Sequence, residues 1–263
     1  MIWQISIFVT TILIIVIVIT SILFRVALKK QLKNTLLVGA DYTLRHIEDR
    51  LAFLQEVTRR FSKNHFIVNG LIDPEGRAEY LPQLVRDFGN SREVRDVNIF
   101  DFEGTHIFSN NPVDHRLINP VYIRRVLVEG KGLVILEPDK RAYILEPIEF
   151  YNTPQGVVAV HLDLQHIVAG AMQEKDDMYY RLQMDNQQIY LLNYSKENSY
   201  YAIDYSSYSS TPILKQLNTG LTLGVLNSEF IRPIRNTILQ LVLFAAIFVI
   251  ISIFLCKVEM ILS

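Results

Sequence analysis

Asp101 and Glu103 stand two residues apart in the stretch NIFDFEGTHIFSN, Asn98–Asn110, and are the first residues in this chain whose types and spacing suggest chemistry. Paired carboxylates can hold a metal ion, or divide acid and base work when their surroundings push their pKa values apart. Either use needs further groups. No His-x-x-x-His or Glu-x-x-His pattern lies near, and the nearest imidazole is His106, which strand alternation sets beside Phe108. The competing reading is a turn: Asp at such a position accepts hydrogen bonds within its own turn, and Gly104 tolerates positive φ. DFEG is therefore expected to be a hairpin tip without a metal or catalytic role. No nucleophile–base pair occurs elsewhere at recognisable spacing, so neither an enzyme nor a cofactor is expected.

A second mixture of residue types occurs further along. In GVVAVHLDL, alternation places Val157, Ala159, His161 and Asp163 on one face, and Val158, Val160 and Leu162 on the other. The second set reads as plain core. The first mixes apolar and polar groups, as the wall of a small-molecule site does. In RAYILEPIEF the same reasoning separates Tyr143, Leu145 and Pro147 from Ala142, Ile144, Glu146 and Ile148.

The elements that must position these residues begin in a membrane. Ile7–Phe24 and Ile238–Cys256 are uncharged and long enough to cross a bilayer as helices. The first lacks a basic leader and a small-x-small cleavage site, and reads as a retained anchor rather than a signal peptide. Arg25, Lys29, Lys30 and Lys33 follow the first span and only Lys257 follows the second. Counted simply, these charges would keep the centre in the cytoplasm. The region between the spans is about 210 residues long, however, and long loops translocate largely regardless of flanking charge, so an extracytoplasmic centre is expected. With 20% charged residues and a net charge of -1, the chain has no basic excess that would suit nucleic acid. The only cysteine, Cys256, lies at the end of the second span, so there is no disulfide framework.

Leu28, Leu32, Leu36, Thr43, Ile47, Leu51, Leu54 and Phe61 recur at helical spacing, weakest around Gly39, and extend the first span into a long amphipathic helix that ends at SKNHF. That helix can pair with a second copy near the membrane and pack on a sheet further out. Glu79–Asn90 reads as a helix with Pro82 in its first turn. Strands follow at EVRDVNIFDF and THIFSN, a helix at VYIRRVLVEG, three strands at GLVILEP, RAYILEPIEF and GVVAVHLDL, and a helix at QHIVAGAMQ. After the polar link EKDD, a hairpin turns at Asn186. The serine- and tyrosine-rich stretch 195–210 reads as a loop, GLTLGVLNS as a strand, and Pro233 as the start of the last helix. The tyrosines from Tyr194 to Tyr208 are read as cover for a small core rather than a sugar platform. The resulting division is a first span (1–24), a stalk helix (25–62), a distal domain (63–172), a smaller proximal unit (173–232), a second span (233–256) and a short tail (257–263).

VRDVNIFDFEG and YILEPIEFYNTPQGVVAVHLDLQHI, behind a long membrane-borne helix, resemble the Cache domains, the extracytoplasmic PAS-like sensor modules of bacteria. The similar features are the Asp101-x-x-Gly104 turn, the strand ending in Glu146-Pro147-Ile148, and the strand opened by Gly156 that ends in Asp163-Leu164. The match covers most of Leu28–Met172, and Tyr179–Phe230 is similar to the reduced proximal half of double-Cache sensors. The resemblance implies an α+β fold with a PAS-like antiparallel sheet and a ligand site between that sheet and DHRLINPVYIRRVLVEG. Amino-acid-binding members carry an Arg, a Trp-Tyr pair, a Tyr and an Asp around the ligand. Arg116, Tyr122, Tyr143 and Asp163 are the nearest matches, while the only tryptophan is Trp3. Arg116 in a pocket would favour an anionic ligand, although it also reads as a solvated loop residue, and Asp163 also reads as a helix cap.

The expected function is small-molecule sensing at a bacterial inner membrane by a homodimer, in a chemoreceptor, a histidine kinase or a cyclic-di-GMP enzyme. Its output domain is expected in a further segment or a separate partner, since only KVEMILS follows Cys256. The rival is a two-span membrane protein that binds a partner protein and no small ligand.

Overall fold

The computed structural model describes residues 2–111, 118–172, 178–193, 200–205 and 212–262. Its longest element is α1 (Ile2–Ser62), an unbroken helix of 61 residues, about 90 Å long at 1.5 Å per residue. Two helices, α1 and α7 (Asn227–Leu262), are long and apolar enough to cross a membrane. Beyond its apolar first part, α1 buries Leu36, Ala40, Leu44, Ile47, Leu51, Leu54, Thr58 and Phe61, a stripe at spacings of three or four. Gly39, beside that stripe, lies near β9 (Gly220–Leu226): a Cβ there would be 3.4 Å from Leu223 Cδ2.

After α1 come α2 (His65–Ile72) and α3 (Pro74–Gly89). The first of these helices was not expected, and the second begins a turn and a half earlier than expected. Both differences have local causes. Asn64 caps α2 by accepting the Phe66 N–H, and Asp73 caps α3 by accepting from Glu75 and Gly76, with Pro74 at the first helical position. Pro82 is thus interior to α3 rather than in its first turn.

The distal antiparallel sheet has the order β2-β1-β5-β4-β3, formed by β1 (Val94–Asp101), β2 (His106–Ser109), β3 (Leu133–Leu136), β4 (Ala142–Phe150) and β5 (Thr153–Leu162). The alternation read from β4 and β5 holds. Ala142, Ile144, Ile148, Val158, Val160 and Leu162 join the core shared with α1, while Tyr143, Leu145, Val157 and Ala159 form a separate cluster on the opposite face. That second face is covered by α4 (Pro120–Glu129), which inserts Ile123 and Val126. Asn119 caps α4, and Gly130 ends it at φ 61°, a left-handed position suited to glycine. α5 (Leu164–Ala171) closes the distal unit.

The proximal sheet has the order β7-β6-β9-β8. Its first hairpin, β6 (Met178–Met184) and β7 (Gln187–Leu192), turns at Asp185–Asn186, both at positive φ. β8 (Tyr200–Tyr205) was not expected, because its segment reads as a serine- and tyrosine-rich loop. Tyr201, Ile203 and Tyr205 alternate against the core, and among the described residues the strand pairs with β9 alone, at the edge of the sheet. A short helix, α6 (Pro212–Gln216), precedes β9, and α7 begins at Asn227, so Pro233 lies inside it rather than at its start. Among the described residues the proximal unit shares its core with the distal one: Tyr180, Leu182, Leu221 and Leu223 belong to the same cluster as the α1 stripe and the distal strands. The link EKDD and the tyrosines Tyr194 and Tyr208 lie outside the described residues.

Candidate functional site

The Asp101 carboxylate of DFEG serves its own turn. Asp101 Oδ1 accepts the N–H groups of Glu103 (3.0 Å) and Thr105 (2.8 Å), Gly104 sits at φ 81°, and Glu103 is exposed. Among the described residues, no group of three or more His, Cys, Asp or Glu side chains could hold a metal ion.

A polar cluster lies instead in the middle of the sheet, on the face under α4. Register aligns Asp96, His161 and Tyr143 as one rung across β1, β5 and β4, with Asn98, Ala159 and Leu145 as the next. His161 Nδ1 lies 2.7 Å from Asp96 Oδ2, the Asn98 side-chain amide donates to Asp96 Oδ1 at 2.7 Å, and the Tyr143 and His161 rings stack at 4.8 Å. All four residues are at most 3% exposed. Burying an ionisable pair and an amide in an apolar face costs free energy unless each polar atom finds a partner. One does not: Asn98 Oδ1 is buried and accepts no hydrogen bond from the described residues. Around it stand Phe100, Ile118, Ile123, Val126, Leu145 and Ala159. The arrangement is a buried polar rung set into an apolar layer under α4.

The expected site residues divide into three groups. Tyr143 and His161 are together in the cluster, and Tyr122 is half-buried on α4 at its edge. Asp163 stands apart, because β5 ends at Leu162 and the chain turns there. Its Oδ1 caps α5 by accepting the His166 N–H (3.0 Å), and its Oδ2 lies 3.3 Å from Arg95. Arg116 lies outside the described residues. Asp96 and Asn98 were missed, although DVNIF carries their signal: a strand with two polar residues two apart, in phase with Phe100.

Burial pushes the Asp163 carboxyl up, but the His166 N–H and Arg95 outweigh it and hold the pKa below the usual carboxylate value. A lowered folded-state value means that the stabilisation is present above the unfolded pKa and fades as pH falls through the folded one. Asp163→Ala is accordingly expected to cost about 1 kcal/mol in urea unfolding near neutral pH, the usual value of an N-cap. The difference from wild type should shrink in acid. A loss of ligand response without any loss of stability would instead place Asp163 in the site.

No family model matches the chain, and no curated protein matches its sequence. Solved structures do resemble it. The sensor domain of the histidine kinase DctB from V. cholerae superposes with a TM-score of 0.54 at 15% identity, over 75% of this chain and 98% of that one. The sensory domain of the Campylobacter jejuni chemoreceptor Tlp3, solved with isoleucine bound, gives 0.54 at 14% identity over 79% and 97%. A domain of a sensory box/GGDEF family protein from Vibrio parahaemolyticus gives 0.54 at 13% over 77% and 98%. The chain has the fold of the Cache-type sensor domains. In this Cache fold the long helix lies along one face of the distal sheet, and the buried polar cluster lies on the other, under α4.

Proposed function

We propose that the chain is the sensing module of a bacterial membrane receptor, anchored in the inner membrane by α1 and α7 with its two sheets outside the cytoplasm. The observation that carries this reading is Asn98 Oδ1, without a partner among the described residues, beside the buried Asp96–His161–Tyr143 rung. A ligand that offers an ammonium or hydroxyl donor to Asn98 fits it, and a carboxylate on the same ligand would suit Arg116. Isoleucine, bound in the Tlp3 sensory domain, has both groups and an apolar side chain. The signal path is short. The core of the distal sheet is continuous with that of the proximal one, and β9 runs from Leu226 directly into α7 at Asn227. Ligand binding shifts this packing only by its differential affinity for the two arrangements. The exposed stripe Val38, Tyr42 and Phe53 on α1 supports a homodimer along the stalk.

A second reading, docking of a partner protein, draws on Phe102, Val121, Val128 and Tyr151, exposed apolar residues gathered at the hairpin tips and the outer side of α4. A thermal-shift screen of the full chain in detergent against amino acids, carboxylates, amines and sugars separates the two. The sensing reading expects a midpoint rise with one class, abolished by Asn98→Ala and weakened by Arg116→Ala. No rise with any class favours the partner.

A further inference from the structure

We propose that Glu146 is a proton-binding site through which external acidity sets how tightly the stalk helix docks on the distal sheet. β4 carries Tyr143 and Leu145 on the side under α4 and, on the other, Glu146 among Ile144, Ile148 and the α1 stripe. A carboxyl group in that position is out of keeping with its neighbours. It is 3% exposed. It also occupies a space made for it: a Cβ on Gly132 would fall 2.1 Å from Glu146 Oε1, so only glycine leaves room for the carboxyl group where it lies.

On α1, Gln55 Nε2 donates a hydrogen bond to Glu146 Oε1 at 3.0 Å. The charged groups facing it from α1 are Glu56, Arg59 and Lys63. α2, also packed on β4, carries His65 as its one titratable side chain. The α1-facing residues of the flanking strands, Val134, Val158 and Val160, carry none. Cations are therefore near but engaged elsewhere. Arg59 and Arg60 both bind Glu56, and Lys63 lies 4.0 Å from Glu149. Glu146 receives a neutral amide, which accommodates either protonation state but does not offset a buried charge.

Burial is the dominant influence and raises the Glu146 pKa above its usual value, against smaller lowering contributions from Gln55, Arg59 and Lys63 and a raising one from Glu56. With the folded-state value raised, the docked arrangement has its full stability below the unfolded pKa and loses it as pH rises through the folded one. The carboxyl then releases its proton to solvent water, and the carboxylate that remains must gain water or a cation. Either requires α1 to move off the sheet near Gln55. Because α1 continues into the first span, that displacement reaches the membrane without passing through the ligand site.

The test uses the full chain in lipid nanodiscs, wild type and Glu146→Gln, with thermal midpoints and backbone hydrogen exchange followed from about pH 5 to about pH 8, a range bracketing a raised carboxyl pKa. Every other titrating group is common to both proteins, so the difference between the profiles isolates Glu146. The wild-type midpoint should fall relative to the variant as pH rises. Exchange in the Leu51–Ser62 segment, corrected for intrinsic rates, should quicken about three- to tenfold in the wild type and stay flat in the variant. Parallel profiles would overturn the proposal. Should the variant not fold, infrared spectra of the wild type decide the matter. A protonated carboxyl band that persists to a pH above the usual Glu range before it vanishes is the expected result, and its loss within that usual range would overturn the proposal.

Discussion

Asp96→Ala should destabilise the protein by about 3–5 kcal/mol, the largest effect expected of any single truncation in the candidate site. The loss comes less from the bonds that Asp96 makes than from what it leaves behind. His161 Nδ1 and the Asn98 amide both end on the Asp96 carboxylate, at 2.7 Å each, and neither is near solvent. Without that carboxylate, a ring N–H and an amide N–H are left unsatisfied in an apolar layer, and such desolvated donors cost more than a net hydrogen bond contributes. Asp96→Asn keeps the shape and one acceptor, and should cost less than half as much. The double variant Asp96→Val with His161→Leu removes both polar ends together and should recover much of the loss, because replacing a buried pair by apolar groups is often near neutral. Its ligand response should nonetheless be gone. Urea unfolding of the full chain in nanodiscs, read by circular dichroism, gives the stabilities. An Asp96→Ala protein as stable as the double variant would show that the rung is not energetically coupled.

Glu48→Ala should cost about 2–4 kcal/mol and, more tellingly, should loosen the distal sheet from a distance. Glu48 is a buried carboxylate on α1 whose two oxygens accept the N–H groups of Ile213 (2.9 Å) and Leu214 (2.8 Å) at the start of α6. Removing it strands both N–H groups, whereas Glu48→Gln retains one acceptor and should lose about half as much. The longer-range effect follows from what α6 touches next. Gln216, at its other end, donates to the Val134 carbonyl of β3 at 2.8 Å, and Gln187 of the proximal hairpin donates to the Glu137 carbonyl at 2.9 Å. α6 is thus a bridge between the stalk and the edge of the distal sheet. Hydrogen exchange at β3 should quicken in Glu48→Ala while β1 stays protected. Uniform quickening across the sheet would mean global destabilisation and no specific bridge.

The same contacts explain which features could be read without a structure. The α1 stripe, the opposed faces of β4 and β5, the DFEG turn and the hairpin at Asn186 are all set by repeats of 3.6 or 2 and by local turn chemistry, and those repeats are written in neighbouring residues. The boundaries that moved had a strong local signal nearby: Asp73-Pro74 starts α3 more firmly than Pro82 does, and Asn227 begins a helix that carries Pro233 inside. β8 was missed because an edge strand with one partner needs no continuous apolar run, and its tyrosines alternate within a serine-rich segment.

The sequence by itself determined two helices long and apolar enough to cross a membrane, the amphipathic extension of the first, the α+β class, and the faces on which Tyr143 and His161 stand. Only the tertiary structure decided what those faces meet. Asp96 and His161 are 65 positions apart, Gln55 and Glu146 are 91 apart, and Glu48 and Ile213 are 165 apart. Period and propensity carry information over a few residues, so they place a side chain on a face. Strand order and register, which answer to the packing of the whole core, choose its partner across the sheet.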